Sequence, residues 1–124
     1  MAKTKVQTAQ DVAVTEALTL LMTCRVSDYD TLNAAIEVAG HDLDQFAIKA
    51  RNHPSATLQT LYSAAGSFTS PTGLITAASG DLTTQAAATQ GMFVMDVRGF
   101  YEIKIYAASG NVAGSTVDIY AGLK

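Results

Sequence analysis

The sequence predicts an antiparallel β-sandwich, of the jelly-roll or Ig-like kind, with about eight short strands. Three observations predict it. Apolar and polar residues alternate at period 2 over residues 32–38, 46–50, 101–107 and 117–121. Clusters of Gly, Asn, Asp, Ser and Pro separate these segments at the spacing of turns between short strands. The chain has 124 residues, 48% of them hydrophobic, which is enough for one core.

Residues 1–11 are polar and lack periodicity, so they read as an N-terminal arm in front of a single domain over 12–124. Residues 12–26 fit two patterns. As a strand, Leu18, Leu20, Met22, Cys24 and Val26 share a face; as a helix, Val14, Leu18, Leu21, Met22 and Arg25 do. The Thr and Val residues favour the strand, because branching at Cβ restricts χ1 in a helix. Leu32, Ala34, Ile36 and Val38 then alternate with polar or small residues up to a turn at Gly40-His41-Asp42. Phe46, Ile48 and Ala50 follow, and together these segments read as a hairpin. Asn52-His53-Pro54-Ser55 ends the second strand, since proline donates no ladder hydrogen bond.

A strand is expected over 57–62, with Leu58 and Tyr62 facing inward. Residues 63–80 read as a loop with one short strand near 74–77, and 81–90 fit either a loop or a short element. Beyond them Phe93, Met95 and Val97 form one face of a strand. Arg98-Gly99-Phe100 turns the chain. Tyr101, Ile103, Ile105 and Ala107 make the next inward row, and Val117, Ile119 and Ala121 make the last.

Nothing in the sequence assembles a catalytic or metal site, so no enzyme activity and no cofactor are expected. His41 falls in a tight turn and His53 precedes Pro54, and there is no G-x-S-x-G elbow. Asp28/Asp30 and Asp42/Asp44 are close carboxylate pairs of the kind a calcium site uses. A full strand separates them, however, which places them at opposite ends of the domain. Gly110 to Ser115 lacks the lysine of a phosphate loop. Cys24 is the one cysteine, so there is no intramolecular disulfide; its apolar surroundings read as a buried thiol.

Charge excludes other classes. The net charge is −3, and Lys and Arg occur singly along the chain, so a basic nucleic-acid-binding face is not expected. No apolar run approaches the ~20 residues of a membrane-spanning helix. Charged residues make up only 15% of the chain, against about a quarter in ordinary proteins. From Asn52 to Met95 the one formal charge is Asp81. Interface cores are depleted in Lys, Glu and Asp, so this stretch reads as a contact surface.

The run Gly91-Met92-Phe93-Val94-Met95-Asp96-Val97-Arg98-Gly99-Phe100-Tyr101-Glu102-Ile103-Lys104-Ile105 resembles small β-sandwich proteins of tailed-bacteriophage virions. So do Leu32, Ile36 and Val38, the turn at Gly40, and Phe46 with Ile48; the likeness covers residues 28–121. The chain departs from it in having no Trp. The resemblance implies a structural protein of the virion, made in the host cytoplasm. The specific expectation is a capsid decoration (cement) protein, oligomeric in its assembly, that binds the major capsid protein or copies of itself and neither nucleic acid nor membrane. Neck or tail components are the alternative within the same family. A carbohydrate-binding module is the alternative outside it, and that one requires Tyr101, Tyr106 and Tyr120 to line one groove. The expected partner-binding residues are Lys3 and Lys5 in the arm, and Phe68, Thr69, Pro71, Thr72 and Leu74 in the long loop.

Overall fold

Leu32, Ala34, Ile36 and Val38 are buried while the residues between them are partly exposed, which is the pleat of a strand covered on one face. The same period runs through Val117, Ile119, Ala121 and Leu123, and through Phe93, Met95 and Val97. The computed structural model describes residues 3–65, 75–79 and 90–124. These form nine strands: β1 (Lys5–Val14), β2 (Thr19–Arg25), β3 (Thr31–Ala39), β4 (Leu43–Arg51), β5 (Gln59–Ala65), β6 (Ile75–Ser79), β7 (Gln90–Asp96), β8 (Glu102–Ser109) and β9 (Ser115–Leu123). Among the described residues there is no helix.

The strands make two antiparallel sheets, a five-stranded one in the order β1-β9-β3-β7-β6 and a four-stranded one in the order β2-β8-β4-β5. The interleaving of β1-β9-β3-β7 over β2-β8-β4-β5 is the jelly-roll form of the sandwich, with β6 added beside β7. The inner faces meet in one core. Phe46 of the four-stranded sheet and Phe93 of the five-stranded sheet pack edge to face at its centre, with ring centroids 5.9 Å apart.

Three expectations are corrected here. Residues 5–11 are not an arm: they belong to β1, which pairs with β9 from Lys5↔Leu123 to Val14↔Ser115. A bulge between Ala9 and Val12, with Asp11 at φ 54°, breaks the alternation and hides the strand from a periodicity reading. Gln7 sits where an apolar residue would be expected, and its Nε2 donates to the Thr23 carbonyl at 2.6 Å. The segments at 32–38 and 46–50 are not a hairpin either. β3 pairs with β7 and β9, and β4 with β5 and β8, so the turn at Gly40 carries the chain from one sheet to the other. Alternation reports which face is inward and says nothing about which strand is the neighbour.

Within 12–26 the strand reading holds over β2, but one residue changes face. A bulge between Leu20 and Met22 turns Leu20 outward, 41% exposed, and buries Leu21 and Met22 together. In β5, Leu61 packs against the core and Leu58 is only partly buried. The side chain of Tyr62 and the segment 81–89 lie outside the described residues.

Three crossings between the sheets, at 15–18, 40–42 and 110–114, gather at one end of the sandwich. Ser109 N donates to the Thr15 carbonyl at 2.8 Å and Gly110 N to the Asp42 carbonyl at 3.1 Å. His41 N donates to Ser115 Oγ, which itself donates to the His41 carbonyl. The Ser109 and Ser115 hydroxyls lie 3.2 Å apart, so the two buried serines have partners, as burial requires. At the other end, Asp30 N and Thr31 N donate to the Lys124 carbonyl, Val97 N to the Asp30 carbonyl and Tyr101 N to the Arg51 carbonyl. The two aspartate pairs therefore lie at opposite ends of β3.

Candidate interaction faces

A sandwich presents two outer faces, and here they differ in charge. On the five-stranded sheet, register sets Val6 beside Gly122 and Asn33, and Tyr120 beside Ala35, which in turn lies beside Met92. Val6 is 85% exposed, Met92 38% and Val94 36%. Val6, Asn33, Met92 and Tyr120 line a shallow depression together with Ala35 and Gly122. No Lys or Arg occupies an outward position of β1, β3, β7 or β9. At one end of this face stands an acidic row. Glu37 is opposite Asp118, and Asp118 Oδ1 accepts a 2.8 Å hydrogen bond from Asp11 N. Tyr120 OH lies 3.3 Å from Gln10 Nε2.

The four-stranded sheet is the reverse. The strand order β2-β8-β4 aligns Arg25, Glu102 and Arg51 in one row, and Thr23, Lys104 and Lys49 in the next. Four cations meet one carboxylate, although the chain as a whole is at −3. Lys104 and Lys49 are directly opposite, and like charges so placed destabilise a sheet. The aromatic rings partly hold these cations. The Lys49 ammonium lies over Tyr106 at 4.9 Å from the ring centroid, and the Arg25 and Arg51 guanidinium groups lie over Tyr101 at 4.1 and 5.6 Å. Glu102 is almost fully buried. Arg51 Nε approaches its Oε1 at 3.2 Å off the hydrogen-bonding direction, as an ion pair rather than a directed hydrogen bond. Arg51 also donates to the Pro54 carbonyl at 2.7 Å.

The other predicted site residues are not gathered. Lys3 is exposed and 3.6 Å from the equally exposed Asp28, a contact of little energetic weight. Lys5 is exposed at the start of β1. Phe68, Thr69, Pro71, Thr72 and Leu74 lie outside the described residues. Sequence reasoning missed both outer faces, because their residues come from strands far apart in the chain. The one early sign of the apolar face was that Met92 and Val94 fall within the charge-poor stretch.

The chemistry available to these groups is limited. Among the described residues, no three of His, Cys, Asp and Glu are grouped to hold a metal ion. Hydrogen bonds from Arg98 hold the exposed Asp96 carboxyl well below its usual range, at about 2; this pair caps the turn after β7. Burial pushes the Cys24 thiol up to about 11, with Lys5 opposing only in part. The thiolate is the reactive form, so Cys24 is expected to stay unmodified by a thiol reagent in the native protein and to react at once in denaturant. Labelling followed by mass spectrometry measures this. Tyr106 belongs to β8 of the four-stranded sheet and Tyr101 stands just before that strand under Arg25 and Arg51, whereas Tyr120 belongs to the five-stranded sheet, so the three do not line one groove.

No protein-family model and no curated protein matches the sequence. Among solved structures, that of infectious bursal disease virus (Gx strain) aligns with a TM-score of 0.41 at 12% identity, over 97% of this chain and 32% of that one. The SPBc2 prophage-derived protein YomS aligns over 100% of this chain and 97% of its own, at 10% identity and a TM-score of 0.54, so the two share a fold across their length.

Proposed function

We propose that this chain is a non-enzymatic structural subunit of a tailed-phage particle, and specifically a decoration protein on the capsid exterior. The observation that carries the reading is the outer face of the five-stranded sheet, where Val6, Met92 and Val94 stand exposed beside Tyr120 with no Lys or Arg among them. An apolar, cation-free patch on a flat sheet is the kind of surface that another protein covers. The shared fold with a prophage-derived protein supports the phage setting. The mechanism is distributed binding: each copy contributes modest contacts, and repetition over a lattice makes the attachment effectively permanent.

The test is to tag the chain, induce particles from the host that carries its gene, and separate them on a density gradient. The chain is expected to travel with the particles at a fixed copy number, and gold labelling to mark the head rather than the neck or tail. Absence from purified particles overturns the reading. Val94→Lys and Met92→Lys set a cation on the contact face. Each is expected to weaken attachment about tenfold, or ~1.4 kcal/mol, while the thermal midpoint of the isolated protein moves little. Unchanged occupancy would show that this face is not the one used.

A further inference from the structure

We infer that two copies of this chain pair face to face through the outer side of the five-stranded sheet, about a two-fold axis that runs between them, across the strands, at the row of Ala34 and Ala121. The inference rests on the reading of the chain as a particle subunit and names the occupant of its apolar face, a second copy of the same chain. The unit that attaches to a lattice is then a pair, held by two sets of contacts.

Register is the first argument. Gln7, Ala121, Ala34 and Phe93 stand side by side across β1, β9, β3 and β7. Ala121, Ala34 and Phe93 are buried, so the residues before and after each of them point outward. A two-fold axis along this row lays each strand antiparallel over its own copy and sets the residue before the row against the residue after it. On β7, Met92 meets the second copy's Val94, so the two exposed apolar side chains of that strand cover one another twice. On β9, Tyr120 meets Gly122, so the ring faces the side-chain-free position in the shallow depression. On β3, Asn33 meets Ala35. Large outward side chains are thus set against small ones, or apolar against apolar. Moving the axis by one residue sets Tyr120 on Tyr120 or Gly122 on Gly122, which makes a clash or leaves a void. Face-to-face sheets keep their strand directions within about 30°, so the adjacent strands β9, β3 and β7 stay over their copies.

Charge is the second argument, and it is independent of the first. Lys124 is exposed and extends the β9 ladder by one residue, donating its N–H to the Thr31 carbonyl at 3.1 Å. Asp118 precedes Ala121 by three residues and Lys124 follows it by three. The same axis therefore brings the Lys124 ammonium of each copy to the Asp118 carboxylate of the other. Asp118 Oδ1 accepts from the Asp11 N–H, a neutral donor that leaves the negative charge in place. An axis along the strands would instead lay one acidic end on the other, where like charges repel. Ion pairs at an exposed rim add little affinity and chiefly fix the register. The affinity comes from apolar burial. A patch about 20 Å by 25 Å buries on the order of 1,000 Å² in total, the low end for a specific interface, so the pair is a weak dimer in solution.

The experiment is sedimentation velocity of the purified full chain over a series from about 1 μM to about 1 mM, the range in which weak interfaces dissociate. A monomer that passes into a dimer, with no larger species, is expected, because a two-fold contact closes on itself. A monomer throughout, or species that keep growing with concentration, overturns the inference. Charge reversal then tests the register. Asp118→Lys sets cation against cation at both rims, and Lys124→Glu sets carboxylate against carboxylate. Each variant alone is expected to dimerise at least about tenfold more weakly than the parent, with an unchanged circular dichroism spectrum. Lys124→Glu alters only an exposed side chain, so it reads the contact even if Asp118→Lys does not fold. An equimolar mixture of the two is expected to pair as the parent does, because each rim then joins opposite charges again. Single variants that dimerise like the parent, or a mixture of folded variants that stays monomeric, overturn it. The outcome is separable from the particle test. A chain that travels with particles but never dimerises overturns this inference alone, and one that dimerises but is missing from particles overturns the particle assignment alone.

Discussion

Phe46→Ala is expected to destabilise the fold by about 3–5 kcal/mol, the cost of replacing a fully buried phenylalanine by alanine. Phe46 is 0% exposed and meets Phe93 edge to face across the sandwich, so its ring joins the two sheets. Among the described residues, backbone hydrogen bonds between the sheets are confined to the ends of the sandwich, so packing holds the layers together at the centre. Interiors are close-packed and collapse only in part around a deletion, so a void would remain and its lining would lose contacts on one side. Urea denaturation followed by circular dichroism measures the effect. The midpoint should fall while the slope stays constant, because the surface exposed on unfolding hardly changes. Phe46→Leu retains most of the volume and should cost distinctly less. An alanine variant within about 1 kcal/mol of the parent would show that this contact does not dominate the core.

Gly114→Ala is expected to be the most damaging change at any turn. Gly114 has φ +77°, where a side chain costs on the order of 1–3 kcal/mol by itself. A Cβ there would also stand 2.5 Å from the Val14 carbonyl oxygen, a backbone atom with no rotamer to escape into. Both β1 and the β8–β9 crossing would have to shift. Gly99 is the control. It has φ +89° but nothing within 4 Å of a built Cβ, so Gly99→Ala carries the backbone strain without the collision. The two variants compared by thermal unfolding should rank Gly114→Ala well below Gly99→Ala, and equal midpoints would contradict the close approach at Val14.

How far the molecule can be read from its sequence depends on which physical signal each part leaves. The inward rows of β3, β7, β8 and β9 are legible because apolar residues (Leu, Ile, Val, Phe, Met and Ala) repeat there at the period of the pleat. β1 is not legible. Its inward positions include Gln7 and Ala9, and its bulge at Gln10–Asp11 changes the phase, so the pattern never lasts long enough to register. Leu20 fails for the same reason, one bulge shifting it from inside to outside. Strand neighbours left no local signal: the Gly40 turn looks alike whether it joins a hairpin or crosses between sheets. The two charged faces were invisible for a related reason. Arg25, Lys49, Arg51 and Lys104 are scattered singly in the chain, and only the order β2-β8-β4 makes them adjacent. The charge-poor stretch was a visible signal, and its Met92 and Val94 do lie on an exposed face.

The interleaved strand order has a consequence for how the protein is made. β9 lies between β1 and β3, and β8 between β2 and β4, so an interior position of each sheet is filled by a late segment of the chain. During synthesis β1, β2, β3 and β4 leave the ribosome first, and each waits with open hydrogen-bonding edges for a partner more than fifty residues away. Long-range pairing of this kind folds slowly, and unpaired strand edges are templates for association with other chains. The nascent protein is therefore most vulnerable to aggregation in the interval before residues 102–123 emerge. A ribosome stalled upstream of them would hold two half-built sheets with no means of closing either.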